Sequence, residues 1–383
     1  MNILLIGNGF DLAHELPTSY QDFLRFTDRY LFDYGNIPDK LESEIGSLVS
    51  ENKWIKHFKK FYEDNGWIGF EKEISDIIQI IDQKIPEFER IKERGSGSVK
   101  FNSKEQKKLE DFDSTVKQGV VFDVDYILNI KEHMIDDLNK LIRCLEIYLD
   151  YIVNKITIGI SSQDIKSLKI DKVLCFNYTK TYERIYDTAK KGKIEYDFIH
   201  GVADESNTIE TDNIVLGIDE YLSKKRRNKD LEFIEFKKYY QRIHKQTGCK
   251  YKDWISAIIQ DNNEYMENIR QQQIDLDNNR GMGFEGSRTR GNLQQLKKNP
   301  PKHNLYIFGH SLDITDKDIL KELILTYNVY TTIFYHNKKE FGRKIANLVK
   351  IIGQDELIRR TGGSTKTIEF KQQQDMIPIS TNK

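Results

Sequence analysis

Cysteine is scarce. Cys144, Cys175 and Cys249 are three in 383 residues, an odd number set far apart. That pattern excludes a disulfide frame and a four-cysteine zinc module, and it fits reduced thiols in a cytoplasm. Long apolar runs are missing too, since nothing approaches the ~18–20 residues needed to cross a bilayer. The opening MNILLIGNGFDL has no basic leading region, and Asp11 soon follows its short apolar run, so it does not read as a secretory signal. These absences predict a cytoplasmic protein without a membrane partner. An excess of one charge is also lacking: 59 Lys+Arg against 60 Asp+Glu leaves a net charge of −1. A basic coat for nucleic acid is thereby excluded, though a local patch is not.

What the chain has is aromatic bulk, 20 Phe, 20 Tyr and 3 Trp, enough for a large core and too much for a disordered chain. At ~150 residues per domain its length allows two to three domain-sized units. An apolar strand, Asn2 to Ile6, runs into Gly7-Asn8-Gly9. Residues 18–88 read as helices, with Trp54, Phe58 and Tyr62, then Ile74, Ile77, Ile78 and Ile81, at helical spacing. The run 93–119 is glycine- and serine-rich and then charged, which predicts a mobile loop. From about 121 to 157 a stripe of Ile127, Ile130, Met134, Leu138, Leu141, Leu145, Leu149 and Ile152 predicts one long helix with a core face.

After 170 the texture changes. Short runs around 173–176, 196–199, 214–216, 305–308 and 330–335 read as strands, most ending in Gly, Asn or His, and helical patterns over 181–190, 314–326 and 338–351 follow several of them. This alternation predicts an α/β fold, a Rossmann-like, mostly parallel sheet with large helical insertions. The core is drawn from 1–20, 165–220 and 301–370. Helical insertions occupy 21–164 and 221–300, and 371–383 is a loose tail, with an edge strand at 365–370. Residues 221–250 carry 10 Lys/Arg against 3 Asp/Glu. Leu231, Ile234, Tyr239 and Ile243 make that stretch read as an amphipathic helix with a solvated lysine face. Residues 278–292 read as a flexible loop.

Ligands of open α/β sheets sit at the carboxyl ends of the strands. Here those ends carry Gly7-Asn8-Gly9, Asn177, His200-Gly201 and Gly309-His310-Ser311. Glycines let backbone N–H groups approach a phosphate, although Leu12 stands where a dinucleotide GxGxxG turn has its third glycine. An Asn offers both donor and acceptor to a sugar hydroxyl or a water, and equally serves as a turn residue. A His accepts a proton near neutral pH, and His14, His200, His310 and His336 all lie at or beyond strand ends. Asp313, Asp316 and Asp318 are the nearest thing to a carboxylate cluster, but a helix start explains them more simply than a metal. No metal site is predicted.

Five blocks in order, MNILLIGNGFDLAHELPTSYQDFL, LCFNYTKTYE, FIHG, IVLGID and LYIFGHSLDITDKDIL, resemble the AbiH abortive-infection proteins of bacterial anti-phage defence. A more distant similarity reaches sirtuin-like NAD-consuming domains. Its counterparts here are Gly7-Asn8-Gly9 with Leu16-Pro17, Asn177-Tyr178, His200-Gly201, Asp219 with Tyr221, and Gly309-His310-Ser311. That resemblance implies Asn177 and His200 as the catalytic pair. It also implies an NAD cradle made of Gly7, Asn8, Gly9, Phe10, Asp11, Gly201, Gly309, His310 and Ser311. The implied activity is hydrolysis of NAD at the nicotinamide–ribose bond, with NAD as substrate and no further cofactor. A phage-derived trigger and self-association go with such an effector. The competing readings are a nucleotide-binding sensor without turnover, and an effector acting on nucleic acid through 224–250, which is not favoured.

Overall fold

A computed structural model of the chain describes residues 1–34, 37–65, 69–94, 99–113, 124–187, 193–278 and 283–379. Its centre is a six-stranded sheet built from β1 (Asn2–Ile6), β3 (Lys172–Cys175), β4 (Glu195–Phe198), β5 (His303–Phe308), β6 (Val329–Tyr335) and β7 (Ile368–Gln372). The order across the sheet is β4-β3-β1-β5-β6-β7, and every neighbouring pair is parallel. This is the α/β, Rossmann-like arrangement, and it carries large helical insertions. β1 is buried on both faces, as a central parallel strand must be. Ile3 and Leu5 pack on one side with Leu305, Ile307 and the helices Lys317–Leu325 and Lys338–Ile352. Leu4 and Ile6 pack on the other with Val173, Cys175 and Phe10.

A second core belongs to the helices between Tyr20 and Lys155. Phe23, Phe26, Trp54, Phe58, Phe70 and the isoleucines of Phe70–Asp82 bury against Met134, Leu138, Leu141 and Leu145 of the helix Val124–Ile147. Trp54 Nε1 donates to the Met134 carbonyl at 2.8 Å, fixing the two elements against each other. The long stripe holds from Ile130 to Leu149, but Tyr148–Ile152 is a wider, π-type turn. Ile127 lies outside the described side chains. Among the described residues no helix is long and apolar enough to cross a membrane.

Several local expectations are corrected. Within 93–119, Ser103–Phe112 is a helix and not a loop; residues 95–98 and 114–119 lie outside those described. Asn102 and Glu105 cap it reciprocally, and Phe112 packs 4.5 Å from Trp54. Two apolar anchors at its end suffice because a neighbouring core receives them. Where 278–292 reads as a flexible loop, Gly283–Lys298 is likewise a helix packed on Tyr251–Asn278, and residues 279–282 lie outside those described. The apolar run 214–216 is buried yet joins no strand; Val215 N–H donates instead to the His200 carbonyl at 2.9 Å. The helix after Asn177 covers Thr181–Tyr186, and residues 188–190 of the expected span lie outside those described. The C-terminal stretch is not a loose tail as far as it is described. Met376–Pro378 (β8) pairs antiparallel with Ile160–Ser162 (β2), and Asp164 accepts from Lys371 Nζ and from Gln374 N, each at 2.8 Å. Residues 380–383 lie outside those described.

Candidate active site

The chain lays β1, β3 and β4 outward to one side, then returns to place β5, β6 and β7 on the other. The strand order therefore reverses between β1 and β5, and crevices at such a switch point take ligands. Register brings the strand ends level: Ile6 pairs with both Cys175 and Phe308, and Cys175 with Phe198. The residues immediately beyond surround a cavity of about 300 Å³. Its wall includes Gly7, Asn8, Gly9, Asp11, Asn177, His200, Gly309, His310 and Ser311.

The two glycine turns serve each other. Gly9 N–H donates to the Gly309 carbonyl at 2.8 Å, and Gly7 N–H to the Phe308 carbonyl at 3.3 Å. A Cβ on Gly7 would stand 2.7 Å from His310 Cα, and Gly309, at φ +70°, would put one 2.1 Å from Phe10 N. Close backbone approach requires glycine there. The N–H groups of Gly7 and Gly9 are thus already engaged. Asn8 is exposed and holds Thr18 through both ends of its amide, accepting from Oγ1 at 2.6 Å and donating to the carbonyl at 3.2 Å.

Asn177 is 4% exposed, and neither its amide oxygen nor its nitrogen makes a close hydrogen bond within the protein, although the side chain lies near enough to Asp11 to favour that carboxylate's charge. Asp11 is 1% exposed; its Oδ2 accepts from Thr179 Oγ1 at 2.5 Å, while Oδ1 has no partner. Burial raises the Asp11 pKa to about 6, against the opposing effect of the Thr179, Thr181 and Asn177 side chains. Buried polar atoms are nearly always hydrogen-bonded, so these under-satisfied groups, on residues that line the cavity, leave hydrogen-bonding capacity beside it.

His200 completes the wall and introduces a residue that the sequence reading assigned to a helix start. Its Nε2 lies 3.6 Å from Asp316 Oδ1, and its Nδ1 is buried without a partner. His310 Nε2 lies 3.4 Å from Asp316 Oδ2. The tautomer of His310 is set by Leu312, whose N–H donates to Nδ1 at 2.9 Å, leaving the proton on Nε2 toward Asp316. Leu312 holds φ +58° while fully buried, a strained backbone of the kind that clusters at functional sites. Lys238 Nζ sits 3.6 Å from Asp316 Oδ1 and 2.9 Å from Glu71 Oε1. Burial opposes ionisation of Asp316, but Lys238 and the two imidazoles outweigh it and hold its pKa well below the usual range. Burial likewise opposes the charge on Lys238, and Asp316 and Glu71 overcome it, so its pKa is raised. The His200 pKa is lowered, by burial first and also by Lys238, with Asp316 pulling the other way. A neutral imidazole with a carboxylate behind Nε2 and a free Nδ1 is arranged to accept a proton.

Other expected residues lie elsewhere. Phe10 is fully buried in the core beneath the sheet, edge-on to Phe308 at 5.7 Å, and does not line the cavity. Gly201 is also absent from the wall; at φ +80° it lets the Asn213 carbonyl approach, where a Cβ would come within 2.0 Å. His14 is a satisfied core histidine between the Phe10 carbonyl and Tyr186 Oη, and His336, just past the carboxyl end of β6, is exposed and does not line the cavity. Asp219 and Tyr221 do not reach the cavity, and Leu16 is core.

The basic stretch inverts its expected pattern. Leu231 and Ile243 are exposed, whereas Lys237 and Lys238 are buried on Glu220 and Glu71. The helix covers Lys238–His244 alone, and Lys224, Lys225, Arg227 and Lys229 stand exposed on a preceding turn.

A family model described as Bacteriophage abortive infection AbiH matches residues 3–336, from β1 through the end of β6 and every cavity-lining residue. The chain belongs to the AbiH family. Its role is accordingly in abortive infection, the defence against bacteriophage. No curated protein matches the AbiH chain closely enough to add a relative.

Proposed function

We propose that this AbiH protein acts in abortive infection by hydrolysing NAD at the nicotinamide–ribose bond. One observation carries the reading: Asn177 and His200, whose amide and Nδ1 are buried and make no close hydrogen bond within the protein, line one cavity at the switch point of a Rossmann-like sheet. Asn177 holds a ribose hydroxyl or the attacking water. The C1′–N bond breaks with its electron pair passing to the pyridinium nitrogen, so nicotinamide leaves neutral and needs no general acid. The sugar passes through an oxocarbenium-like state. Water adds at C1′, and its proton goes to His200 Nδ1. Asp316, 3.6 Å behind Nε2, stabilises the imidazolium that results. At about 300 Å³ the cavity is at the small end for ligand sites, which suits one end of an extended dinucleotide.

The test is purified protein with NAD, following nicotinamide and ADP-ribose by chromatography, with and without phage lysate. Wild type releases both products; His200→Ala and Asn177→Ala each lose roughly 10²–10⁴ in rate, the range for a positioned proton-transfer group. Unchanged release in His200→Ala removes that residue from its role. NAD binding without release in any condition assigns a sensor in place of a hydrolase.

A further inference from the structure

The cavity wall has a charge and a texture that the glycine turns do not explain. Among the described residues, Asp11, Glu71, Asp313 and Asp316 line it, against one cation, Lys238. With the histidines neutral the formal balance is 1 − 4 = −3. Lys238 is itself held by Glu71 at 2.9 Å, with Asp316 beyond at 3.6 Å, so the described lining residues offer no free cation to a phosphate. The N–H groups of Gly7 and Gly9 are engaged by β5 and the turn after it. A pyrophosphate would meet a negative wall here.

The same wall is aromatic. Tyr20, Tyr148, Phe176 and Tyr178 line the cavity. Two of these rings are pinned by their hydroxyls, Tyr148 Oη donating to the Pro17 carbonyl at 2.7 Å and Tyr178 Oη to the Val215 carbonyl at 3.0 Å. Carboxylates together with aromatic rings held in place are one way in which proteins recognise a delocalised organic cation, through Coulomb attraction and the ring quadrupole. Among these acids stand the under-satisfied Asn177 amide and Asp11 Oδ1, acceptors and a donor suited to sugar hydroxyls.

Resting on the hydrolase reading above, we infer that the cavity selects the cationic N-ribosylpyridinium end of its substrate, and that pyrophosphate and adenosine lie outside it and contribute little to recognition. The substrate class is then N-ribosylpyridinium compounds of any length. The substrate is already a cation, so the negative wall assists the reaction only where its carboxylates lie nearer the ribose than the pyridinium ring, favouring the charge as it moves onto C1′ while the C1′–N bond breaks.

Two measurements test this. The first compares kcat/KM for NAD and for nicotinamide riboside on the full chain. Values within about tenfold, or ~1.4 kcal/mol, support the inference. NAD cleavage with the riboside more than ~100-fold poorer overturns it while leaving the hydrolase reading intact. The second is calorimetric binding to His200→Ala, with Asn177→Ala as a second background should the first not fold. The probes are nicotinamide riboside and its reduced, uncharged dihydropyridine form. The cation is expected to bind at least ~10-fold tighter, and Glu71→Gln, which removes one negative charge, to narrow the gap. Equal binding of the two forms, or tighter binding of the neutral one, overturns the inference whether or not any turnover is seen. Cation-selective binding with no hydrolysis of either substrate sustains the inference and rejects the hydrolase reading.

Discussion

Replacing Asp11 by Asn is expected to stabilise the protein, and to do so as a function of pH. Asp11 is 1% exposed, with one carboxylate oxygen accepting from Thr179 Oγ1 and the other unpartnered. Burial lifts its pKa from 3.8 to about 6. A carboxyl whose folded pKa exceeds its unfolded value costs nothing below the unfolded pKa, where both states are neutral. It costs the full difference above the folded pKa, where both are charged. At 1.36 kcal/mol per pH unit that difference is roughly 3 kcal/mol at pH 8, falling to about 1.5 kcal/mol at pH 5 as the folded carboxyl takes up its proton. Asn keeps an acceptor for Thr179 and carries no charge. Urea unfolding of wild type and Asp11→Asn at pH 5 and pH 8 measures the gain at each pH. A gain that does not depend on pH, or a variant less stable than wild type at pH 8, refutes the account of a charge buried at a cost. Under the hydrolase reading the same substitution slows turnover, since the group that is unfavourable for folding is the one presented to substrate.

Asp316→Asn removes the carboxylate behind His200 and is expected to lower the rate by roughly 10²–10⁴. Because His200 must be neutral to accept a proton, wild-type activity falls as pH drops through a value below the usual histidine 6.5, and Asp316→Asn moves that limb lower still; a limb that stays put in rate–pH profiles denies Asp316 the positioning role. Gly309→Ala forces a Cβ to within 2.1 Å of Phe10 N at φ +70° and is expected to cost at least about 2 kcal/mol in urea unfolding; a neutral effect means that the two turns do not interlock. Charge reversal of Lys224, Lys225, Arg227 and Lys229 together changes stability by no more than about 0.5 kcal/mol, as exposed substitutions do, and leaves NAD turnover intact; a salt-dependent loss of DNA or RNA binding in a gel-shift assay revives the nucleic-acid reading.

The strands and most helices were legible because their signals are local. β1 is a continuous apolar run, and the stripe from Ile130 to Leu149 repeats every three or four residues whatever lies beyond it. The elements that were misread depend on partners. Ser103–Phe112 has few apolar residues of its own, although the Asn102–Glu105 capping pair was present to be noticed. β8 is three residues long and exists because β2 accepts it, 216 positions away at the Ser161–Ile377 pair. The run 214–216 has the composition of a strand, but its hydrogen bonds go to the His200 carbonyl and to the side chains of Asp212, Tyr178, Gln241 and Lys245 and not to a ladder.

By itself, the sequence determined which residues end strands, and so which side chains a parallel sheet must deliver to one edge: the two glycine turns, Asn177 and His200. Parallel strands in register allow no other outcome for residues that immediately follow them. Tertiary structure alone decided what surrounds that edge. Glu71 comes from the first insertion and Lys238 from the second, and Asp316 reaches two histidines because the strained turn at Leu312 folds the chain back. Phe10 and Asp11 are adjacent in sequence, yet one faces the core and the other the cavity, because successive residues on a helical turn point in different directions. A lysine's charge is likewise no guide to its exposure when a half-buried carboxylate waits for it, as Glu71 does for Lys238.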